Sequence, residues 1–516
     1  MSFQTKLKFN VHADQLPRLR SLPLIRRISV DRATTQSLST TYFDTERGDL
    51  RDMGVSLRVR SVGGNLLQTV KTSAEAVGNG RTKYVFEAPV PTERPMLSII
   101  MPPTLRRRVQ EVPSDTLAPL FRVDVKRTSR LVSLDGGSRA SLDIDLGAID
   151  MGDETVTIAD LELSTSREPL HLLYELALQI HERVPLVPTM ETESDVGYRH
   201  LGLKPIVKKD ADGTTVGKRQ RREKAFMGVL QACFERLQFV ANCLHEGASD
   251  AFGADDLVIV QRLRTTIRHF RRLLPKHTYD LLLSEMDWIT GVFKTWQDWT
   301  KFERRLIAPV AKHLGDTVDL AALRDAIEAE CTAARAAVGK ALMSPRFSKL
   351  LLELGYCLAK QPWRGSSKPS KGAGSKYSVR ALAADALSDH SLRIHKLAKR
   401  ATKVADEKHP LLIEEIRDLR RTVDLFGNLY PAKKVAIIAN RIERVEAAQA
   451  YLEALALAWQ SADRLTKGSV GARAAKLSLG IVLGWHAKSR KAAERKLHRE
   501  VQLLVAEKPP WRRSRG

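Results

Sequence analysis

No apolar run in this sequence approaches the roughly 18 residues that a membrane-spanning helix needs. The N-terminal MSFQTKLKFNV lacks both the apolar stretch and the small-residue cleavage site of a signal peptide. No membrane partner is therefore expected, and the cytoplasm is the expected location. Cysteine is scarce: Cys233, Cys243, Cys331 and Cys357 are the four present, without CxxC or Cys/His ligand spacing. That excludes a disulfide framework and a structural zinc site and suits buried thiols in a reducing compartment. A Walker A loop, a zinc finger and an RNA-recognition motif are also missing. Acid is the last shortage. Against 84 Lys and Arg stand 60 Asp and Glu, a formal net charge of +24, and an excess of that size implies a polyanionic partner.

What is present divides into two parts with different periods. To about Pro205, short alternating runs such as SLRVRSV, LLQTVKT, RASLDIDL and VTIADLEL are separated by Gly, Pro and Asp turns. At least seven such strands predict an antiparallel barrel or sandwich. From about Lys218 the period becomes 3.6, as in KAFMGVLQACFERLQFVANCLHE, and helices are expected throughout. The predicted chain is thus multidomain α+β: an antiparallel β-barrel over 1–205, a linker over 206–219, and an all-α duplicated bundle over 220–505. Two helical blocks are expected to separate near 364–378, in RGSSKPSKGAGSKYS, and 506–516 to form a basic tail. Residues 1–205 hold 27 Lys and Arg against 26 Asp and Glu, whereas the remainder holds 57 against 34. The polyanion partner is therefore expected mainly on the helical part.

In the barrel part, Arg58 and Arg60 alternate on one strand and so share a face. Lys8, Lys71, Arg81, Arg122 and Arg127 add cations on other strands. Turned inward together, these seven would make a cationic interior that needs a bound polyanion. In the helical part, Arg264, Arg268 and Arg272 recur at i, i+4, i+8 with Arg262 beside them. Like charges at that spacing repel, and an anionic partner is the natural compensation. Arg417, Arg420 and Arg421 repeat the arrangement beside an apolar face of Ile413, Ile416, Leu419 and Val423, and Lys396 and Arg400 precede them. Trp288, Trp296 and Trp299 share one helix face and are expected to pack in a core.

The pieces TYFDT, LRVR, QTVK, DLG at 145–147, DLEL at 160–163 and GYRHLG at 197–202 resemble the CYTH family. The resemblance implies a tunnel in which Lys and Arg grip a triphosphate while acids hold Mg²⁺ or Mn²⁺. The family's opening ExExK reads Gln4-Thr5-Lys6-Leu7-Lys8 here, and its ExExE strand reads Ile158, Asp160, Glu162. Glu193 stands where a Lys is usual. Asp145, Asp160 and Glu162 are the acids left to hold a metal, so the cofactor site is expected to be depleted. QRLRTTIRHF at 261–270 and IRDLRRTVDLF at 416–426 resemble the CHAD family, which implies a basic cleft for inorganic polyphosphate. The histidines of that family are mostly replaced, as by Ala254.

The expected function is binding of inorganic polyphosphate or triphosphate through the helical cleft and the barrel, with weak or no hydrolysis, in association with polyphosphate granules. A metal-dependent inorganic triphosphatase (a phosphoanhydride hydrolase) and a nucleic-acid-binding protein are the two alternatives left open.

Overall fold

Strands that alternate charged and apolar residues put the two kinds on opposite faces, and in this chain the charged face is the inner one. The computed structural model describes residues 5–511 except 73–74, 78–79, 83–84, 166–168, 190, 204–215, 219, 246–251, 315–316, 364–377, 401–408 and 467–471, with no side chain described within 73–84 or at 472. It divides into two units, Met1–Asp210 and Ala211–Gly516.

The N-terminal unit is built on strands β1 (Thr5–Asn10), β2 (Thr34–Asp44), β3 (Val55–Val62), β4 (Asn65–Thr72), β5 (Glu75–Val77), β6 (Gly80–Thr82), β7 (Val85–Pro89), β8 (Ala118–Ser133), β9 (Arg139–Asp150), β10 (Thr155–Thr165) and β11 (Val187–Thr189). Nine of them form one antiparallel sheet in the order β11-β1-β10-β9-β8-β2-β3-β4-β7, and β5 pairs with β6 separately. Among the described residues no ladder joins β11 to β7, so the barrel is a curled sheet left open along one seam. Its helices are α1 (Leu16–Ser21), α2 (Pro23–Ile28), α3 (Asp49–Asp52), α4 (Pro103–Val109), α5 (Leu170–His181) and α6 (Glu193–His200). Outward-facing Phe9, Leu142, Ile144, Leu161 and Leu163 are buried, as are Leu16, Leu19, Leu173, Leu176 and Ile180 of the helices. A second apolar layer, Leu57, Val59 and Val70 with Ile100, Leu105 and Val109, covers the other end.

Two glycines are required by close approach. A Cβ on Gly147 would lie 2.0 Å from the Asp124 carbonyl oxygen on the neighbouring strand. On Gly197 it would meet the Phe121 ring at 2.5 Å. The second glycine lets α6 lie on the sheet and brings Tyr198 to Asp44, whose carboxylate accepts from the Tyr198 hydroxyl at 2.9 Å. Asp44 also accepts from the backbone N–H groups of Thr45 at 2.8 Å, Leu50 at 2.8 Å and Arg51 at 3.0 Å. One fully buried carboxylate thus ties the end of β2, the turn into α3 and the closing helix together. The motif residues Asp44 and Tyr198 are framework.

The second unit is helical: α7 (Arg222–His245), α8 (Ala254–His269), α9 (Lys276–Phe302), a π-turn at Glu303–Ile307, α10 (Ala308–Leu314), α11 (Ala321–Leu342), α12 (Pro345–Lys360), α13 (Val379–Arg400), α14 (His409–Phe426), α15 (Ala432–Leu465) and α16 (Ala472–Ala506). The packing order α7-α8-α9-α11 recurs as α13-α14-α15-α16, and α8 meets α14 while α9 meets α15. The duplication is real, but the expected separation into two bundles needs correcting. One apolar core joins Phe226, Leu263 and Phe270 to Ile394, Ile416 and Phe426. A second joins Phe302, Leu306 and Leu323 to Leu455, Leu479 and Val482. Each core therefore draws on both repeats. The linker and the boundary expected at 206–219 and 364–378 fall largely outside the described residues. Of the expected tail over 506–516, residues 512–516 lie outside the described residues, while Trp511 is 1% exposed and its indole N–H donates to Ser391 at 3.2 Å.

Trp299 is buried, and Trp288 and Trp296 pack against the cores. Each carries an arginine over its ring: Arg346 at 4.1 Å from Trp288, Arg335 at 5.5 Å from Trp296 and Arg464 at 5.1 Å from Trp299.

Asp44→Ala strands three backbone N–H groups and is expected to destabilise the N-terminal unit by about 3 kcal/mol, with Tyr198→Phe costing about 1 kcal/mol. Calorimetry of the full chain reads both as downward shifts of that unit's transition; an unmoved transition in Asp44→Ala contradicts the framework role.

Candidate functional site

Directly opposite residues in an antiparallel ladder share a face, and the register therefore assembles the barrel's inner wall. Lys8 stands opposite Glu162, Asp160 opposite Asp145, and Glu162 opposite Asp143. Arg127 is opposite Asp145. On the far wall Arg60 faces Thr40 and Arg58 faces Tyr42, while Lys71, two residues from Thr69, continues the row on β4. Lys8, Arg58, Arg60, Lys71, Arg127, Asp145, Asp160 and Glu162 are thereby brought to one surface. Arg122 is not. Its position on β8 differs in parity from Arg127, and it sits on the outer face, 51% exposed, bound to Asp124 and Ser39. Arg81 pairs through its backbone with Ala76, and its side chain lies outside the described residues.

Two regions of this wall differ in electrostatic state. On the first, every carboxylate expected to hold a metal has its own cation. Lys6 binds Glu162 at 2.6 Å, Lys8 binds Asp160 at 2.9 Å, and Arg127 grips Asp145 through two bonds of 2.8 and 2.6 Å. Among the described residues no group of three His, Cys, Asp or Glu side chains is placed to hold a metal ion. As built, Asp145, Asp160 and Glu162 do not fit one. The family's Mg²⁺ or Mn²⁺ would have to expel three side-chain cations first.

Glu193, noted in the sequence only for standing where a Lys is usual, joins the site. Thr192 and Asp195 form a capping box that fixes the start of α6, and this puts Glu193 in the first turn, aimed at Lys8, 3.5 Å away. Burial pushes its carboxyl up, but Lys8, Arg58 and Arg127 overcome that and hold it at about 2. Burial alone would lower the Lys8 ammonium, yet Glu193 and Asp160 reverse the effect and its pKa is raised. The substitution of Glu for a usual Lys near GY was visible, but nothing in the spacing tied it to a lysine 185 residues away.

Arg58 and Arg60 make the second region. Arg58 is 8% exposed; it donates to the Tyr42 hydroxyl at 3.2 Å, and its Nε has no hydrogen-bond partner among the described residues. Arg60 donates to Thr40 at 3.3 Å, and burial with the neighbouring Arg58 lowers its pKa. Neither forms an ion pair among the described residues. The expectation of a wholly cationic interior is corrected: one region is self-neutralised, and two adjacent guanidiniums remain.

The helical unit carries a groove of about 580 Å³ between α8, α9, α14 and α15. Arg264, Arg417, Arg420 and Arg421 line it, whereas Arg262, Arg268, Arg272, Lys396 and Arg400 do not. Lys294, Lys301 and Arg305, which sequence reasoning missed, complete its basic residues; their i, i+7, i+11 spacing was the available signal. Six carboxylates line it beside these seven cations, so the groove is nearly balanced and not simply basic. Arg417 pairs with Glu453 at 2.6 Å, Arg420 with Asp424 at 3.2 Å, and Arg421 with Glu414 at 3.0 Å. Arg262, Arg272, Lys396 and Arg400 form no ion pair among the described residues, and all but the half-buried Arg262 are exposed.

The family model of the CYTH domain matches residues 5–185 and that of the CHAD domain matches residues 228–466. No curated protein matches the chain. Among solved structures, the CHAD domain from the plant Ricinus communis is 18% identical with a TM-score of 0.44, covering 57% of this chain and 96% of that one. PptA from Streptomyces chartreusis is 19% identical with a TM-score of 0.38, covering 55% and 100%. HpAC1 from Hippeastrum, described as having a dominant triphosphatase activity, is 17% identical with a TM-score of 0.27, covering 38% and 96%.

The Glu193 carboxyl is held below its ordinary 4.5, so its contribution to stability is complete above pH 4.5 and is lost as the pH falls through about 2. The gap in unfolding midpoint between wild type and Glu193→Gln is expected to be constant above pH 5 and to close towards pH 2; a gap that widens on acidification rules this pairing out.

Proposed function

The chain joins a CYTH domain to a CHAD domain, and from that premise we propose that it binds inorganic triphosphate and polyphosphate without rapid hydrolysis. One observation carries the reading: among the described residues Arg58 and Arg60 form no ion pair, beside three carboxylates that each have a cation. A planar guanidinium matches two oxygens of one phosphoryl group. Two such groups on alternate positions of one strand suit neighbouring phosphates of a chain, with Lys71 on the adjacent strand extending the row. Hydrolysis in this setting needs a divalent ion to polarise the phosphoryl oxygen and generate the attacking water. Such an ion needs carboxylates free of competing cations, and Arg127 holds both oxygens of Asp145 while Lys8 and Lys6 each hold one of Asp160 and Glu162.

The helical unit contributes at two ranges. Its excess charge, including Arg262, Arg272, Lys396 and Arg400, raises the local concentration of a polyanion at low salt. The groove arginines Arg264, Arg417, Arg420 and Arg421, with Arg268 bound to Asp418 outside the lining, supply the contacts.

Calorimetric titration with tripolyphosphate is expected to show binding in EDTA. Arg58→Ala or Arg60→Ala should weaken it about tenfold or more, as loss of a charge-assisted hydrogen bond implies. Phosphate release with Mg²⁺ or Mn²⁺ is expected to stay at background. Turnover that disappears in Glu162→Ala would instead establish the metal-dependent triphosphatase. Failure of long-chain polyphosphate to displace RNA or DNA at equal phosphate concentration would overturn the polyphosphate reading.

A further inference from the structure

The groove of the helical unit contains two kinds of carboxylate that differ in depth. Asp418 of α14 lies behind the lining, its side chain 10% exposed. One of its oxygens accepts from Arg268 of α8 at 2.7 Å and the other from Arg421 at 2.9 Å, with Arg264 of α8 3.8 Å away. Three guanidiniums from two helices, one from each repeat, thus converge on one buried carboxylate. Those arginines hold its pKa below the ordinary value against the upward push of burial. At the rim the situation is reversed. Asp287 of α9, 51% exposed, binds Arg264 at 2.5 Å, and Glu414, 50% exposed, binds Arg421 at 3.0 Å. Arg264, Arg421, Asp287 and Glu414 all line the groove, whereas Asp418 does not.

We infer that Asp287 and Glu414 are built-in competitors of polyphosphate, and that Asp418 is a positioning residue that holds Arg264, Arg268 and Arg421 ready for it. The inference rests on the reading of the groove as a polyphosphate site. An exposed ion pair contributes little, because water screens it and two long side chains must be held still. A phosphoryl oxygen can therefore take the place of Asp287 on Arg264 and of Glu414 on Arg421, and each released carboxylate passes into solvent. The buried pairings do not exchange in this way, since removing one partner leaves charge stranded in a poorly solvated place. Asp418 accordingly stays and keeps the guanidiniums from repelling one another apart. A single phosphate gains too little from displacing one rim carboxylate, whereas a chain that displaces both gains at two points tethered by its own backbone. The arrangement selects long polyphosphate over orthophosphate.

The two kinds of carboxylate predict opposite signs. With long-chain sodium polyphosphate as the probe and the full-length chain at low salt, Asp287→Asn and Glu414→Gln should each tighten binding about two- to fivefold, the ratio equivalent to an exposed ion pair. Asp418→Asn should weaken it, and Asp418→Glu should restore most of the loss. Circular dichroism and thermal unfolding separate a misfolded Asp418→Asn from a folded one, and the two rim variants test the inference whichever result that gives. Unchanged or weaker binding in both rim variants overturns the inference while leaving polyphosphate binding intact. Absence of binding by the wild-type chain overturns the underlying reading instead.

Discussion

A cation held against a carboxylate on a different element is the interaction on which both units depend. Burying a charge is costly unless it is paired and hydrogen-bonded, so a chain that turns Lys8 and Arg127 inward must bring acids to meet them. Asp145, Asp160 and Glu193 come from β9, β10 and α6 to do so. The same necessity joins the two helical repeats, where Asp418 on α14 gathers Arg264 and Arg268 from α8. Position and neutralisation are therefore set together. The groups left out of the pairing among the described residues, Arg58 and Arg60, are the ones on which the proposed phosphate binding rests.

Much of this was legible in the residue order, and the limits have identifiable causes. Alternation in LRVR placed Arg58 with Arg60, because strand period alone determines which residues share a face. Periodicity of 3.6 likewise assigned Ile413, Ile416, Leu419 and Val423 to a core, where all are buried. Arg122 failed by parity, since a cation on a strand has two faces available and its own position does not say which is inner. Pairing failed for a different reason. Lys8 with Glu193, Arg268 with Asp418 and Arg127 with Asp145 are separated in sequence by distances that no local rule connects. A charge count summed over 311 residues also hides local balance: the strongly basic half has a groove with nearly as many carboxylates as cations.

Repetition in the helical unit is a matter of helix order and not of separate folding bodies. A sequence duplication suggests two bundles with a seam between them, yet each apolar core is filled from both repeats. The repeats differ in α12, which has no counterpart in the second repeat, and in α9, where a π-turn at Glu303–Ile307 interrupts the helix and α10 follows. The corresponding α15 runs uninterrupted from Ala432 to Leu465. Lys301 and Arg305 flank or occupy that turn and line one wall of the groove, while the matching wall on α15 carries Glu443, Glu446 and Glu453. The two walls of an internally repeated groove have thus acquired opposite charge.

The burial of Trp511 sets an order on synthesis. Its ring belongs to the same core as Val216 and Phe226, so that core spans almost the whole of the second unit and stays incomplete until residue 511 has left the ribosome. The sheet of the first unit needs nothing beyond β11 at Val187–Thr189 and the closing helix that ends at His200. Vectorial synthesis, which favours folding of the leading unit first, lets the barrel complete its internal ion pairs while some 300 residues of basic helical chain are still emerging. Glu193 and the acids of β9 and β10 are then already held by their own lysines and arginine before the strongly cationic second unit can compete for them.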